Sequence, residues 1–209
     1  MASKVIKKTD SSEYDHKQLF TRKGKRKYLD EHELDLFIRK AQSVENPKVR
    51  TLCLVMAQTG CRISEALELT AKDIDISSGS ITFRTLKQKK KLRYRSVPVP
   101  DSTLDALELV HGIRKASRSR KAPPRLWDWQ RIQAYNHIKA VMKEAGITGE
   151  HASPKGLRHG FGVRAIQKTR NPRLVQKWLG HTTLEMTTIY MDVIGQEERE
   201  EVRRMWKTQ

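Results

Sequence analysis

Four short segments of this chain carry side chains that can act on a phosphate ester. Thr59-Gly60-Cys61-Arg62-Ile63-Ser64-Glu65 sets an arginine at a glycine turn opening a helix, where free backbone N–H groups also favour an anion. A lysine-rich stretch offers Lys87, Lys89, Lys90 and Lys91. Lys155-Gly156-Leu157-Arg158-His159 puts Lys155 and Arg158 three apart, on one helical face. Leu179-Gly180-His181 ends a helix, and Tyr190 follows. Breaking a phosphodiester without a metal needs a side-chain nucleophile, cations for the pentacovalent transition state, and a proton donor for the departing oxygen. Arginine suits the second task, since its planar fork bonds two phosphate oxygens and stays charged. Histidine or lysine can supply the proton. Singly, each segment also has a plain reading: Arg62 paired with Glu65, His181 as a cap, Tyr190 as a core tyrosine.

The composition agrees with a polyanionic partner. In 209 residues there are 42 Lys+Arg and 24 Asp+Glu, a formal net charge of +18. The charge is clustered. Residues 1–29 hold nine basic and three acidic side chains, and Arg84–Arg95 holds seven basic and none acidic. A third run, Arg114–Arg125, also lacks acids. One such run reads equally well as a solvated face, but three favour a nucleic-acid footprint. Without an apolar run of membrane-spanning length or a signal-peptide core, the expected location is the cytoplasm, with no membrane contact. Cys53 and Cys61 are the only cysteines, too few for a disulfide framework or a four-cysteine zinc site.

The elements that must position these groups are mostly helical. Asp30 and Glu33 form a capping-box pattern ahead of Leu34, Phe37, Ile38 and Ala41. Pro47 opens a second helix closed by Gly60, and a third is expected over about Ile63–Leu69. Alternation at Ile74/Ile76, Ile81/Phe83 and Val97/Val99 predicts short strands, with Pro98 and Pro100 marking an edge. The lysine-rich stretch then lies on a hairpin. Further helices are expected at Thr103–Arg114, Arg131–Ala145, Lys155–Lys168, Pro172–Leu179, Leu184–Met191 and Gln196–Trp206. Ile132, Tyr135, Ile138, Met142 and Ala145 read as a core stripe. The expected class is mainly α with a small antiparallel β-sheet (α+β). A basic, flexible arm over 1–27 would precede a domain over 28–209, whose last helix spans 196–209.

Taken together and in order, these segments resemble the tyrosine recombinase (phage integrase) family, whose series is Arg, a hairpin Lys, His-x-x-Arg, a second His after Leu-Gly, then Tyr. The resemblance runs from about Tyr28 to the C-terminus. It implies the fold of that family's catalytic domain and a site-specific DNA recombinase that works through a 3′-phosphotyrosine and a Holliday junction. Such an enzyme serves integration, excision, inversion or resolution. By that likeness Tyr190 is the nucleophile, and Arg62, Arg158 and His181 hold the phosphate. Lys87, with Lys89 as second choice, is the general acid, and Glu65 is a supporting acid. No cofactor or metal is implied.

The sequence departs from the family at two places. Lys155 stands where the first His is usual, keeping a cation; His159, one position further round the helix, is expected to point elsewhere and to play at most a supporting part. Few residues precede the first helix, so the layout resembles a catalytic domain alone, as in the short recombinases that invert fimbrial promoter segments. Arg22, Lys23, Lys25, Arg26 and Lys27 of the arm would contact phosphates, as would Lys89, Lys90, Lys91 and Arg93. The likeness further implies double-stranded DNA with inverted half-sites, a homotetramer joined through the C-terminal helix with Trp206 as anchor, an accessory DNA-bending protein, and a bacterial, phage or plasmid origin. The alternative is an inactive DNA-binding regulator of the same fold. A helix-turn-helix reading of 172–191 leaves Arg62 and Arg158 without a role, and a metal nuclease lacks clustered ligands.

Overall fold

Helix starts follow the caps. A computed structural model describes residues 19–21, 23–85, 93–191 and 206. Helix α1 (Glu31–Gln42) opens with the expected Asp30/Glu33 box and buries Leu34, Phe37 and Ala41. Helix α2 (Pro47–Thr59) starts with Pro47 behind an Asn46 cap and stops at Gly60, whose φ of 59° is left-handed. A side chain at Gly60 would also strike the Phe161 ring. Because α2 is buried on nearly all sides, it forms the centre against which α1 and four later helices pack.

Helix α3 (Ile63–Ala66) is shorter than expected. The backbone beyond it is claimed by a distant partner: the Leu69 carbonyl accepts from Leu126 N–H at 2.8 Å, and Thr70 bridges Arg125. A 3-10 turn (Ala71–Asp73) leads into β1 (Ile74–Asp75). Strands β2 (Ser80–Thr85) and β3 (Arg93–Pro98) pair antiparallel from Ser80↔Pro98 to Thr85↔Arg93, giving the sheet order β1-β2-β3. The expected helix over Thr103–Arg114 is two, α4 (Asp101–His111) and α5 (Ile113–Ser117), because Gly112 turns left-handed between them. Helices α6 (Arg131–Glu144), α7 (Pro154–Thr169) and α8 (Pro172–Leu179) lie where the periodicity put them. The last, α9 (Glu185–Thr188), is one turn rather than the expected Leu184–Met191. The mainly α, small-sheet class holds.

Two apolar clusters result. The larger surrounds α2; the smaller gathers Leu19, Tyr28, Val163, Ile166, Val175, Leu179 and Tyr190. Leu19 therefore packs with the core, inside the stretch read as a free arm. Phe20 bridges Arg26, and Arg26 pairs with Asp30 at 2.6 Å and Glu33 at 2.8 Å. Arg26 is thus engaged by carboxylates, while Lys23 and Lys25 are exposed. The core stripe of α6 needs correction: Ile138 and Met142 are buried, but Ile132 is 64% exposed and Tyr135 37%. Arg22, Lys87, Lys89, Lys90, Lys91 and, apart from the exposed Trp206, the expected C-terminal helix lie outside the described residues. Among the described residues no helix is long and apolar enough to cross a membrane.

Candidate active site

Helix α7 carries glycines where neighbours come too close for a side chain. At Gly156 a Cβ would collide with the His151 carbonyl, and at Gly160 it would sit 2.6 Å from the Leu29 carbonyl. At Gly162 it would lie 2.6 Å from the Tyr190 ring. Each glycine costs a helix about 1 kcal/mol relative to alanine. Here the cost obtains a close approach, and the Tyr190 ring rests directly on the backbone of α7.

Tyr190 is 1% exposed, and its hydroxyl lies 3.1 Å from Nδ1 of His159. Burial pushes the phenol up to about 12, against the pull of Arg158 and Arg62. The His181 ring lies nearly parallel to the Tyr190 ring, with centroids 6.1 Å apart. Its Nδ1 is held 2.9 Å from the Thr187 hydroxyl. Burial, then Arg158 and Arg62, lowers His181 to about 3, so the ring is neutral.

Arg158 is buried beside them. One nitrogen donates to the Gly60 carbonyl at 2.6 Å and another to the Leu179 carbonyl at 2.8 Å. Both acceptors are carbonyls at helix C-terminal ends, which lack intrahelical partners. Burial, and after it Arg62, lowers even this guanidinium to about 10. Arg62 donates from its side chain to Glu65 at 2.9 Å, and the Arg62 backbone N–H donates to the same carboxylate at 2.8 Å. The Glu65 carboxylate also receives Arg95 at 2.6 Å and 3.3 Å. Burial alone would raise the Glu65 carboxyl, but Arg95 and Arg62 outweigh it and hold the group below its ordinary range.

A cavity of about 860 Å³ opens onto Arg62, Lys155, Arg158, His159, His181 and Tyr190. Arg131 and Tyr135 of α6 form another part of its wall. A smaller depression of about 290 Å³ shares His181 and Thr182 with it and adds Arg93, Arg173, Gln176 and Lys177. Four cationic side chains, two neutral imidazoles and a phenol therefore face one open space. That set can bind a phosphate diester, neutralise its charge and present an oxygen nucleophile to phosphorus.

The sequence model of the phage integrase family matches residues 27–197. The chain belongs to the phage integrase family. Among curated relatives, the tyrosine recombinase XerA of Pyrococcus furiosus is 29% identical over 167 residues, 74% of this chain and 54% of the relative. This integrase-family chain thus spans about half the length of that relative. Its fold matches the crystal structure of XerA recombinase at a TM-score of 0.70 and 24% identity, over 87% of this chain and 66% of that one. A pre-cleavage complex of XerH recombinase with its difH substrate matches at 0.67 and 24%, over 85% and 57%.

Within this phage integrase fold, Arg62, Glu65, Lys155, Arg158, His181 and Tyr190 come together as the spacing anticipated, with Lys155 exposed at the mouth. His159 does not point elsewhere. Tyr190 crosses α7 above Gly162, so the face reached by His159 is the one the phenol covers. Three residues escaped the sequence reading. Arg95 lies within the basic run Arg84–Arg95, yet it shares the inward phase of Val97 in β3. It is 6% exposed and stacks over Phe83 at 4.9 Å; its Nε donates to the Trp178 carbonyl at 2.7 Å. Thr187, which holds His181, carried no signal beyond being a threonine in a short helix. Tyr135 looked like core because helical period cannot distinguish a core from a concave wall.

Proposed function

We propose that this chain is the catalytic part of a site-specific DNA recombinase. Tyr190 Oη attacks the scissile phosphorus, forming a 3′-phosphotyrosyl ester and releasing a 5′-hydroxyl. Arg62 and Arg158 bind the non-bridging oxygens, His181 adds a hydrogen bond, and Lys155 adds charge at the entrance. Lys87, or Lys89 in its stead, protonates the departing 5′-oxygen. Glu65 and Arg95 keep Arg62 in place. The ester stores the bond energy, so the strand can be rejoined to a new partner without a nucleotide cofactor, through a Holliday junction.

The observation that carries this reading is the convergence of the Tyr190 hydroxyl, Arg158, Arg62 and His181 on one open cavity, from segments more than a hundred residues apart. Double-stranded DNA with inverted half-sites is the substrate, consistent with the net charge of +18. Lys23, Lys25, Arg93, Arg173 and Lys177 extend the positive surface along the backbone. Four copies acting on two sites, linked through the segment around Trp206 and assisted by a DNA-bending protein, complete the reading.

The test is capture. Nicked duplexes with randomised arms are incubated with the protein in excess EDTA, and DNA that stays attached after denaturation is sequenced. Attachment through Tyr190, absent in Tyr190→Phe, is expected. Attachment through another side chain, or none, refutes the proposal.

A further inference from the structure

For Tyr190 to attack phosphorus, a neighbouring group must take its proton. A phenol held at about 12 is a poor nucleophile until it loses that proton. Lys155 is exposed at the mouth of the cavity, whereas the Tyr190 phenol is buried. His181 is committed through Nδ1 to Thr187. Among the described residues, the group hydrogen-bonded to the Tyr190 hydroxyl is His159, with Nδ1 at 3.1 Å, inside the range required of a general base.

We propose that His159 is the general base for Tyr190, a catalytic residue standing directly after Arg158. The proposal rests on Tyr190 being the nucleophile. In this arrangement Nε2 carries the ring proton and Nδ1 accepts from the phenol. As the Oη–P bond forms and the P–O5′ bond breaks, the Tyr190 O–H bond breaks and its proton passes to Nδ1, leaving an imidazolium. The 5′-oxygen takes its own proton from the general acid, Lys87 or Lys89. On rejoining, the imidazolium returns the proton to the phenol as the 5′-hydroxyl attacks.

Two further observations fit. Burial, then Lys155, Arg158 and Lys27, lowers His159 to about 3, so the ring is neutral and able to accept before substrate arrives. These same cations make the imidazolium costly. A phosphodiester bound to Arg158 and Arg62 offsets their charge, so the base gains strength when the substrate is seated. In addition, Nε2 of His159 is buried with no hydrogen-bond partner among the described residues. The polar contact of this ring is therefore with the Tyr190 hydroxyl, 3.1 Å from Nδ1.

The experiment uses the full chain and a duplex recovered by capture. His159→Gln and His159→Asn are compared with the parent for DNA affinity, melting temperature and the rate of covalent attachment. Attachment slowed by about 10²–10⁴-fold, with affinity unchanged, is expected. The same rates are then read on a duplex whose scissile 5′-bridging oxygen is sulfur, a leaving group that needs no proton. The deficit of the His159 variants should persist there, because their defect is on the attacking side. In His159→Ala, added imidazole should restore part of the rate. A deficit erased by the sulfur, or parental rates in both variants, overturns the proposal. If a variant unfolds, the ring tautomer of the parent, read by ¹⁵N NMR, decides: an Nδ1–H tautomer refutes, an Nε2–H tautomer supports. A parent that forms no adduct at all fails the Tyr190 reading instead, and His159 with it.

Discussion

Gly162→Ala separates the site's geometry from its stability. The methyl would lie 2.6 Å from Cε1 and Cζ of Tyr190, whereas carbon atoms rest at about 3.5–4.0 Å. The ring must therefore retreat by about 1 Å, and its hydroxyl, 3.1 Å from His159, moves with it. A misplacement of that size costs about 10²-fold in rate. Helix α7 itself gains, since alanine is favoured over glycine by about 1 kcal/mol within a helix. Displacing the buried ring costs about 1–3 kcal/mol and the helix gain offsets about 1 of it, so the net expectation is a melting temperature close to or slightly below the parent's, together with covalent attachment slowed about 10²-fold. Gly160→Ala is the control. There the obstacle is the Leu29 carbonyl at 2.6 Å, a backbone atom that cannot rotate away, so stability falls by about 1–3 kcal/mol. Both variants are measured by thermal unfolding and by single-turnover attachment to a nicked duplex. Parental attachment rates in a stable Gly162→Ala protein would show that the phenol does not react from this seat, and the argument would fail.

Three further outcomes are expected. His111 is lowered to about 4 by burial and Lys48, and His159 and His181 to about 3, all below their ordinary value near 6.5. The folded chain then binds fewer protons than the unfolded chain at mildly acidic pH, so their contribution is complete above about 6.5 and is lost as pH falls. The melting temperature should drop between pH 7 and pH 5, with proton uptake on unfolding; a flat profile contradicts this. Arg95→Met removes one partner of a buried ion pair and should cost about 3 kcal/mol in denaturant unfolding, a value within error of zero refuting the role given to the pair. Arg173→Ala with Lys177→Ala should weaken DNA binding across sequences and lower the slope of log affinity against log salt by about 2; an unchanged slope removes both from the DNA path.

How much of this was legible in the sequence depends on what each signal measures. Caps are local, and Asp30, Pro47, Gly60 and Pro172 mark helix ends where the structure has them. The early stop of α3 was not legible, because the bond from Leu126 to Leu69 is made by residues far along the chain. Spacing brought Arg62, Arg158, His181 and Tyr190 onto one list, since motifs record residues that share a task. It misjudged His159, for a helical wheel gives an angle around α7 but not which face Tyr190 will cover. It passed over Arg95 because a basic run gives charge but not orientation, which follows only when the strand's phase is traced through to Val97.

Arg95 also explains how the separate parts of the site are kept in register. Its guanidinium reaches Glu65, which holds Arg62, while its Nε holds the Trp178 carbonyl just ahead of the Gly180-His181 turn. A side chain at Gly180 would come within 3.0–3.2 Å of Arg95, so the turn is packed against this arginine as well as bonded to it. The same residue belongs to β3, the strand that follows the lysine-rich segment. One buried side chain thus ties the strand leading from the expected proton donor to a phosphate-facing arginine and to the histidine turn. Lysine at this position would keep the charge yet could not bond Glu65 and Trp178 together through a rigid fork. Arg95→Lys should therefore lose attachment rate by a larger factor than it loses DNA affinity, and equal losses in both would reduce Arg95 to a general support of the fold.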